Sequence, residues 1–159
     1  MQSNDALFLA EKLLSVFQSE RNSFLDAYHN ITGEHQSFAQ KDYNFVVTYL
    51  RNYKEIYSQS KRSNQKAKGK VFLILSFNEP FTMSVIPVLN ALAAGNTVYV
   101  RPSSRCVSFF THLWTHVEVE SLTKNYLNIV HVKESEVSEI FKLIPSMHAV
   151  FFSEVIRTP

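Results

Sequence analysis

The 159 residues can bury one good core with a helical extension, and a hydrophobic fraction of 45% is ordinary for a globular protein. Sixteen basic against 14 acidic residues leave a net charge of +2, which gives no general basic surface for nucleic acid. One cysteine excludes an intrachain disulfide, and no apolar run reaches the ~18 residues of a membrane span, so we expect a cytoplasmic protein without nucleic-acid or membrane partners.

The first 60 residues carry apolar side chains near helical spacing. They predict one helix over residues 5–29, with a break near Ser19, and a second helix from about Ser37 to Ser58. We interpret the aromatic stripe of the second helix, which includes Phe38 and Phe45, as core packing. Residues 61–70 carry five positive charges and read as a solvated linker. A phosphate- or partner-binding patch is the alternative.

Residues 71–100 predict a β-α-β unit. Val71 to Leu75 is an unbroken apolar run typical of a strand buried on both faces of a parallel sheet. Pro80 suits the first turn of a helix that continues to about Ala94, and Gly95-Asn96 is a helix stop. Thr97 to Val100 is the second strand, and the crossover implies parallel pairing.

The remaining residues continue the alternation of helices and strands. A helix capped by Ser103 or Ser104 is predicted to run to about Val119. The later elements are a strand at 127–132, a helix at 135–143 and a strand at 149–152. The fold class is therefore α/β: a partial doubly wound, Rossmann-like parallel sheet of about four strands, with flanking helices and two N-terminal helices before it. By analogy with the Rossmann order, we place the strands 3-2-1-4.

Two motifs in this stretch resemble the aldehyde dehydrogenase superfamily. Ser-Phe-Asn-Glu-Pro at 76–80 is similar to that family's Ser-Pro-Trp-Asn-Tyr-Pro turn. Residues 91–104 resemble its Ala-Leu-Ala-Ala-Gly-Asn-Thr-Val-Val-Leu-Lys-Pro-Ser-Glu segment, and residues 31–34 and 49–53 resemble its Glu-Thr-Gly-Lys and Leu-Arg-Tyr-Tyr segments. The resemblance implies a helical segment at 1–60, the linker at 61–70 and an incomplete cofactor-binding domain at 71–159, truncated before the catalytic domain.

The resemblance also assigns site residues. Asn78 matches the asparagine whose amide helps to stabilise the oxyanion, and Arg101 matches the lysine that contacts the adenosine ribose or its 2′-phosphate. Arginine favours phosphate, and Ser104 replaces a glutamate found in NAD-preferring members, so NADP is favoured over NAD. The full set of predicted cofactor-binding residues is Ser76, Phe77, Asn78, Arg101, Ser103, Ser104 and Ser153.

Two glycine-bearing turns of the family are missing here. The third strand is followed by Val-Lys-Glu-Ser-Glu at 132–136, and the Phe-Thr-Gly-Ser turn is replaced by Phe-Ser-Glu-Val at 152–155. Glycine lets a helix N-terminus approach a diphosphate, whereas Glu154 brings a second negative charge. Like charges ~5 Å apart cost about 3 kcal/mol at an effective dielectric of 20, so we expect NAD or NADP to bind weakly or not at all.

The other reactive side chains give weaker signals. Cys106 stands at a predicted helix start on the adenosine side of the sheet, and we interpret it as a small buried side chain, not as the family's nucleophile. His112 and His116, with Glu120 one turn further, have the spacing of a metal-binding pair. We expect a surface pair and no metal site.

Three interpretations of function follow. The chain is a short relative of an NAD(P)-dependent aldehyde dehydrogenase without catalysis of its own, or a piece of such an enzyme or of the related acyl-CoA reductases. Alternatively, it is a non-catalytic interaction module. The missing glycines favour the first and third interpretations. The strand at 149–153 is expected to form an open sheet edge, which predicts a homodimer or a protein partner that supplies a strand.

Overall fold

A computed structural model describes residues 3–61, 67–136, 139, 142 and 147–152. The helices are α1 (Ser3–Ser19), α2 (Arg21–Thr32), α3 (Gln36–Arg51), α4 (Tyr53–Lys61), α5 (Pro80–Ala93), α6 (Val107–Trp114) and α7 (Val117–Thr123). The strands are β1 (Lys70–Ile74), β2 (Thr97–Arg101), β3 (Leu127–Ile129) and β4 (Met147–Phe152), and a 3₁₀ turn covers Glu134–Glu136. None of the helices within the described ranges is both long and apolar enough to cross a bilayer.

The four strands form one parallel sheet in the order β3-β2-β1-β4, which confirms the predicted fold class and strand order. β1 lies between β2 and β4, and its residues from Val71 to Ile74 are buried, as the unbroken apolar run indicated. Pairing with β2 continues one residue beyond β1, because the Leu75 N–H donates to the Arg101 carbonyl over 3.1 Å. The carboxyl ends of β1 and β2 therefore lie side by side.

The main core lies on one face of this sheet. Val71, Leu73, Val98 and Val100 pack there together with α5, α6 and the N-terminal helices. Two successive right-handed crossovers in the same direction, from β1 to β2 and from β2 to β3, place α5 and α6 on the same face. Phe72 and Ile74 point to the other face, where a smaller cluster includes Tyr99 and Val130.

Two predicted helices are each broken into two. Asn52 separates α3 from α4, and its side-chain amide donates to the Thr48 carbonyl over 3.0 Å. Thr115 ends α6, and its hydroxyl donates to the Thr111 carbonyl over 2.8 Å. Such side chains compete with the backbone for the carbonyl one turn earlier, which favours a break. The predicted serine cap is also wrong, since Cys106 occupies the N-cap position of α6 and makes no side-chain cap bond.

The boundaries of later elements differ as well. β3 is shorter than the predicted strand at 127–132, and β4 begins two residues earlier than predicted. Most of the predicted helix at 135–143 lies outside the described residues, as do Ser153 and Glu154. The break near Ser19 is confirmed, because α1 ends at that residue.

The prediction that Phe38 and Phe45 belong to the core is wrong. Both side chains are about half exposed on the outer surface of α3. The buried face of this helix instead consists of Ala39, Asp42, Tyr43, Val46, Val47 and Leu50. The Lys41 ammonium lies 5.5 Å from the centre of the Phe38 ring, so the exposed ring is partly covered by a long charged side chain.

The amino end of β1 is held by side chains from two other elements. Asn96, at the predicted helix stop, accepts hydrogen bonds from the backbone N–H groups of Lys68 and Gly69 over 2.7 and 3.0 Å. His148 accepts one from the Lys70 N–H over 3.1 Å, at a bulge in the pairing of β1 with β4. Gly69 has a φ of 107°, and a Cβ built on it would lie only 2.8 Å from the His148 ring nitrogen.

The amino end of α5 is capped by a residue from α3. Asp42 accepts hydrogen bonds from the N–H groups of Phe81 (2.9 Å) and Thr82 (3.1 Å), and from the Thr82 hydroxyl (2.5 Å). Pro80 at the first helical position has no N–H, so the next two donors of the helix are both satisfied. Glu79 stands at the N-cap position but makes no side-chain cap bond. Burial raises the pKa of the Asp42 carboxyl, and the hydrogen bonds from Thr82 and Phe81 oppose that rise.

Replacing Asp42 with alanine leaves two buried N–H donors of α5 without an acceptor. We expect Asp42→Ala to lower the free energy of unfolding by about 2–3 kcal/mol. Glu79→Ala is the matched control, because it removes a carboxylate at the same helix end that makes no cap bond; its effect is expected to stay within about 0.5 kcal/mol. Denaturant unfolding measures both, and equal effects would contradict the assignment of Asp42 as the cap.

Candidate functional site

A cavity of about 450 Å³ opens at the carboxyl ends of β2 and β3. Its lining comes from the end of β2 and the start of α6, and from the segment after β3: Arg101, Pro102, Ser104, Val107, Val130, His131, Val132, Lys133 and Glu136. In doubly wound sheets ligands bind at this edge of the sheet. The volume lies within the range of small-molecule sites, so the cavity is the candidate binding site.

The charges around the cavity are mainly positive. Arg101 is only 5% exposed and lies at the end of β2, where that strand holds its backbone in place. Lys133 adds a second basic side chain, and His131 an imidazole, from the segment after β3. Glu136 opposes them: its carboxylate accepts a hydrogen bond from the Lys133 N–H over 3.1 Å. The excess of basic over acidic side chains in the lining suits an anionic or phosphorylated ligand.

Three other predicted residues lie in the turn after β1, the strand that pairs with β2. Ser76 and Phe77 are half-buried and Asn78 is exposed, in the turn that leads into α5. The Asp42 cap fixes the start of α5 two residues after Asn78, so a contact from the N-terminal helices positions this turn. The Arg105 guanidinium lies 4.4 Å from the centre of the Phe77 ring and joins the turn to the segment before α6.

The structure brings some of the predicted residues together and separates others. Arg101 and Ser104 both line the cavity. Ser103 is half-buried in the turn before α6, where its carbonyl accepts a hydrogen bond from the Cys106 N–H over 2.8 Å. Ser153 lies outside the described residues.

The cavity also contains residues that are absent from the predicted set of cofactor-binding residues: Pro102, Val107, Val130, His131, Val132, Lys133 and Glu136. In the sequence, the polar segment after β3 is distinguished by the absence of the glycine-rich turn of the family. Its return across the end of β2 is a consequence of the sheet order, since β3 neighbours β2.

Cys106 is buried, as the sequence predicted, and it lies under the start of α6. Burial raises the pKa of its thiol to about 12, although the neighbouring Arg105 charge opposes that rise. At neutral pH the thiol is therefore protonated. Since the thiolate is the nucleophilic form, Cys106 is unsuited to attack a carbonyl carbon.

The imidazoles of His112 and His116 both lie near the Glu20 carboxylate. Nε2 of His112 lies 2.6 Å from one oxygen of Glu20, and Nε2 of His116 lies 3.9 Å from the other. This cluster ties the α1–α2 junction to α6. The part of the chain that the structure describes holds no group of three His, Cys, Asp or Glu side chains that could bind a metal ion.

A parallel sheet in the order 3-2-1-4 with a cavity at its carboxyl edge defines a doubly wound α/β protein. The family model of the aldehyde dehydrogenase family matches residues 9–154. The chain therefore belongs to the aldehyde dehydrogenase family.

Individual relatives are similar over part of their length. An NADP-dependent glyceraldehyde-3-phosphate dehydrogenase of Scenedesmus vacuolatus is 30% identical over 77 residues, which are 48% of this chain and 33% of that protein. Among solved structures, an NAD-dependent benzaldehyde dehydrogenase of Corynebacterium glutamicum superposes with a TM-score of 0.69 at 15% identity, over 94% of this chain and 40% of the other. The glyceraldehyde-3-phosphate dehydrogenase of Methanocaldococcus jannaschii, complexed with NADP, superposes with a TM-score of 0.68 at 13% identity. The superposition covers 96% of this chain and 41% of that protein.

The burial of Cys106 makes a prediction about its reactivity. With a thiol pKa raised from 9.0 to about 12, the folded chain at pH 8 should react with a disulfide reagent at least roughly a hundredfold more slowly than the same chain in denaturant. The rate should rise with pH as the thiolate fraction grows. Absorbance of the released thiolate follows the reaction, with Cys106→Ser as the blank. Equal rates in folded and unfolded chain would show that this thiol is accessible and ionised.

Proposed function

We propose that this chain binds an adenine dinucleotide, NADP in preference to NAD, in the carboxyl-edge cavity, within an aldehyde dehydrogenase lineage. The observation that carries the proposal is a buried arginine, Arg101, lining a cavity of suitable size at the edge where this fold class binds ligands. Similar proteins that depend on NAD or NADP, or are complexed with NADP, support a nucleotide as the ligand.

The cavity suits the phosphorylated adenosine half of such a cofactor. A planar guanidinium can donate two hydrogen bonds to one phosphate, so Arg101 and the nearby Lys133 favour a 2′-phosphate on the ribose. Ser104 adds a hydroxyl and no negative charge. Glu136 is the opposing group, because its carboxylate lies in the same cavity and repels phosphate. We expect weak binding for that reason.

Asn78 is the group we assign to the aldehyde end of the site. Its amide can donate a hydrogen bond to an oxyanion without losing a proton, and it lies in the turn after β1, the strand that pairs with β2. The nicotinamide ring of the cofactor, when bound, accepts a hydride. Reaction would also need a thiolate. Cys106 is the one cysteine in the sequence and it is buried, so we expect the isolated chain to bind cofactor without oxidising aldehydes.

Titration with NAD, NADH, NADP and NADPH tests the proposal. Calorimetry should show saturable binding, with NADP bound roughly tenfold more tightly than NAD. Arg101→Lys keeps the positive charge but loses the paired N–H donors of the guanidinium. It should remove most of the preference for NADP over NAD while the chain stays folded. Arg51→Ala, an exposed arginine on α3, is the control and should bind as the original chain does.

The titration has two outcomes that count against the proposal. If none of the four nucleotides binds at millimolar concentration, this chain does not bind cofactor. If Arg101→Lys binds NADP and NAD with the same ratio as the original chain, Arg101 does not recognise the 2′-phosphate.

A second candidate function is self-association through β4. This strand lies at the edge of the described sheet, and its Val150 and Phe151 side chains are 48% and 45% exposed. A free strand edge can pair with an antiparallel copy of itself about a two-fold axis, which satisfies backbone groups of both copies and covers these side chains. We therefore propose a second copy of this chain as the occupant of the edge.

Sedimentation over a range of concentrations tests this second candidate. The original chain should form dimers, and the double variant Val150→Lys, Phe151→Lys should remain monomeric because two charges at the edge oppose pairing. Val117→Lys is the matched control, since Val117 on α7 is 75% exposed and lies away from β4. A monomer at every concentration, or loss of the dimer in the control, would refute pairing through β4.

A further inference from the structure

The contact between Arg105 and Phe77 crosses the edge of the sheet next to the cavity. Phe77 follows β1, and Arg105 follows β2 and precedes α6. The guanidinium carbon lies 4.4 Å from the centre of the ring, within the range of a cation–π contact. Arg105 is exposed, and Phe77 is partly buried and packs against the main core. A half-buried ring thus contacts an exposed charged group.

The order of the strands places this contact on the path of a long ligand. The carboxyl ends of β3, β2 and β1 follow one another along the edge, and adjacent strands are about 4.8 Å apart. The cavity covers the ends of β3 and β2, whereas Asn78 follows β1. A ligand with one end in the cavity and the other near Asn78 has to cross the Arg105–Phe77 contact, and the middle of a dinucleotide is its diphosphate.

We infer that Arg105 binds the diphosphate of the cofactor and that the Phe77 ring holds its guanidinium in position until the cofactor arrives. The inference rests on the proposed nucleotide binding and adds a residue and a role to it. Arg105 is separate from the cavity lining, although its neighbour Ser104 belongs to that lining.

Two properties of arginine support this assignment. A guanidinium can donate two hydrogen bonds in its plane while one face stays against an aromatic ring, so it need not leave Phe77 to bind phosphate. Charge-assisted hydrogen bonds to phosphate are stronger than an exposed cation–π contact. The ring reduces the number of conformations that the long side chain must lose on binding, which is the usual benefit of preorganisation.

Comparison of adenosine, AMP and ADP isolates the diphosphate from the rest of the cofactor. In the 159-residue chain, ADP should bind roughly tenfold more tightly than adenosine, as measured by calorimetry at low salt. Arg105→Ala should lose that gain and leave adenosine binding unchanged. Arg105→Lys should retain part of it, and Arg51→Ala, which removes an arginine from α3, should retain all of it.

A Phe77→Leu variant tests the role of the ring. Arg105 keeps its charge but loses its support, so the ADP gain should fall about threefold without disappearing. Arg105→Ala that still prefers ADP tenfold would overturn the assignment, and so would an equal loss of adenosine and ADP binding, because that indicates a structural effect. If none of the three compounds binds, the proposed function fails as well. Binding of all three with equal affinity refutes only the role of Arg105.

Discussion

One buried carboxylate fixes the position of the turn at the carboxyl end of β1. Asp42 caps α5 from a different helix, and its two oxygens accept three hydrogen bonds from Phe81 and Thr82. A buried charged acceptor is stable only when donors surround it, so α3 has little freedom to slide relative to α5. The turn between β1 and α5 is therefore fixed from outside the sheet. The N-terminal helices are thus part of the support of the site, 40 residues away in sequence from the backbone groups that they hold.

The elements that could be predicted from the sequence are those with dense local signals. The apolar run of β1 and the stop at Gly95 and Asn96 each depend on a few adjacent residues. The strand order, by contrast, rests on analogy with the Rossmann order. The breaks at Asn52 and Thr115 could not be predicted in this way. A side chain that competes for a backbone carbonyl looks the same in the sequence as one that faces solvent.

The residues of the site also differ in whether a local sequence signal identifies them. Arg101 and Ser104 were predictable because they lie at and just after the end of a strand that faces the ligand edge. Glu136 was not, because it reaches the cavity through a 3₁₀ turn that the sequence does not specify. Asp42 was missed as a cap because its partner helix begins 38 residues later, and no local spacing links the two. Phe45 was misplaced because an aromatic side chain next to a buried helix face has the periodicity of a core residue.

The contact between Gly69 and His148 has a consequence for how these two positions can vary in evolution. Any side chain at position 69 would collide with the imidazole, and it would also have to adopt a positive φ. The same imidazole marks the bulge that sets the register of β4 on β1. A one-residue slip would turn Ala149 away from the main core and expose the opposite set of side chains. We therefore expect position 69 to stay glycine for as long as position 148 carries a ring.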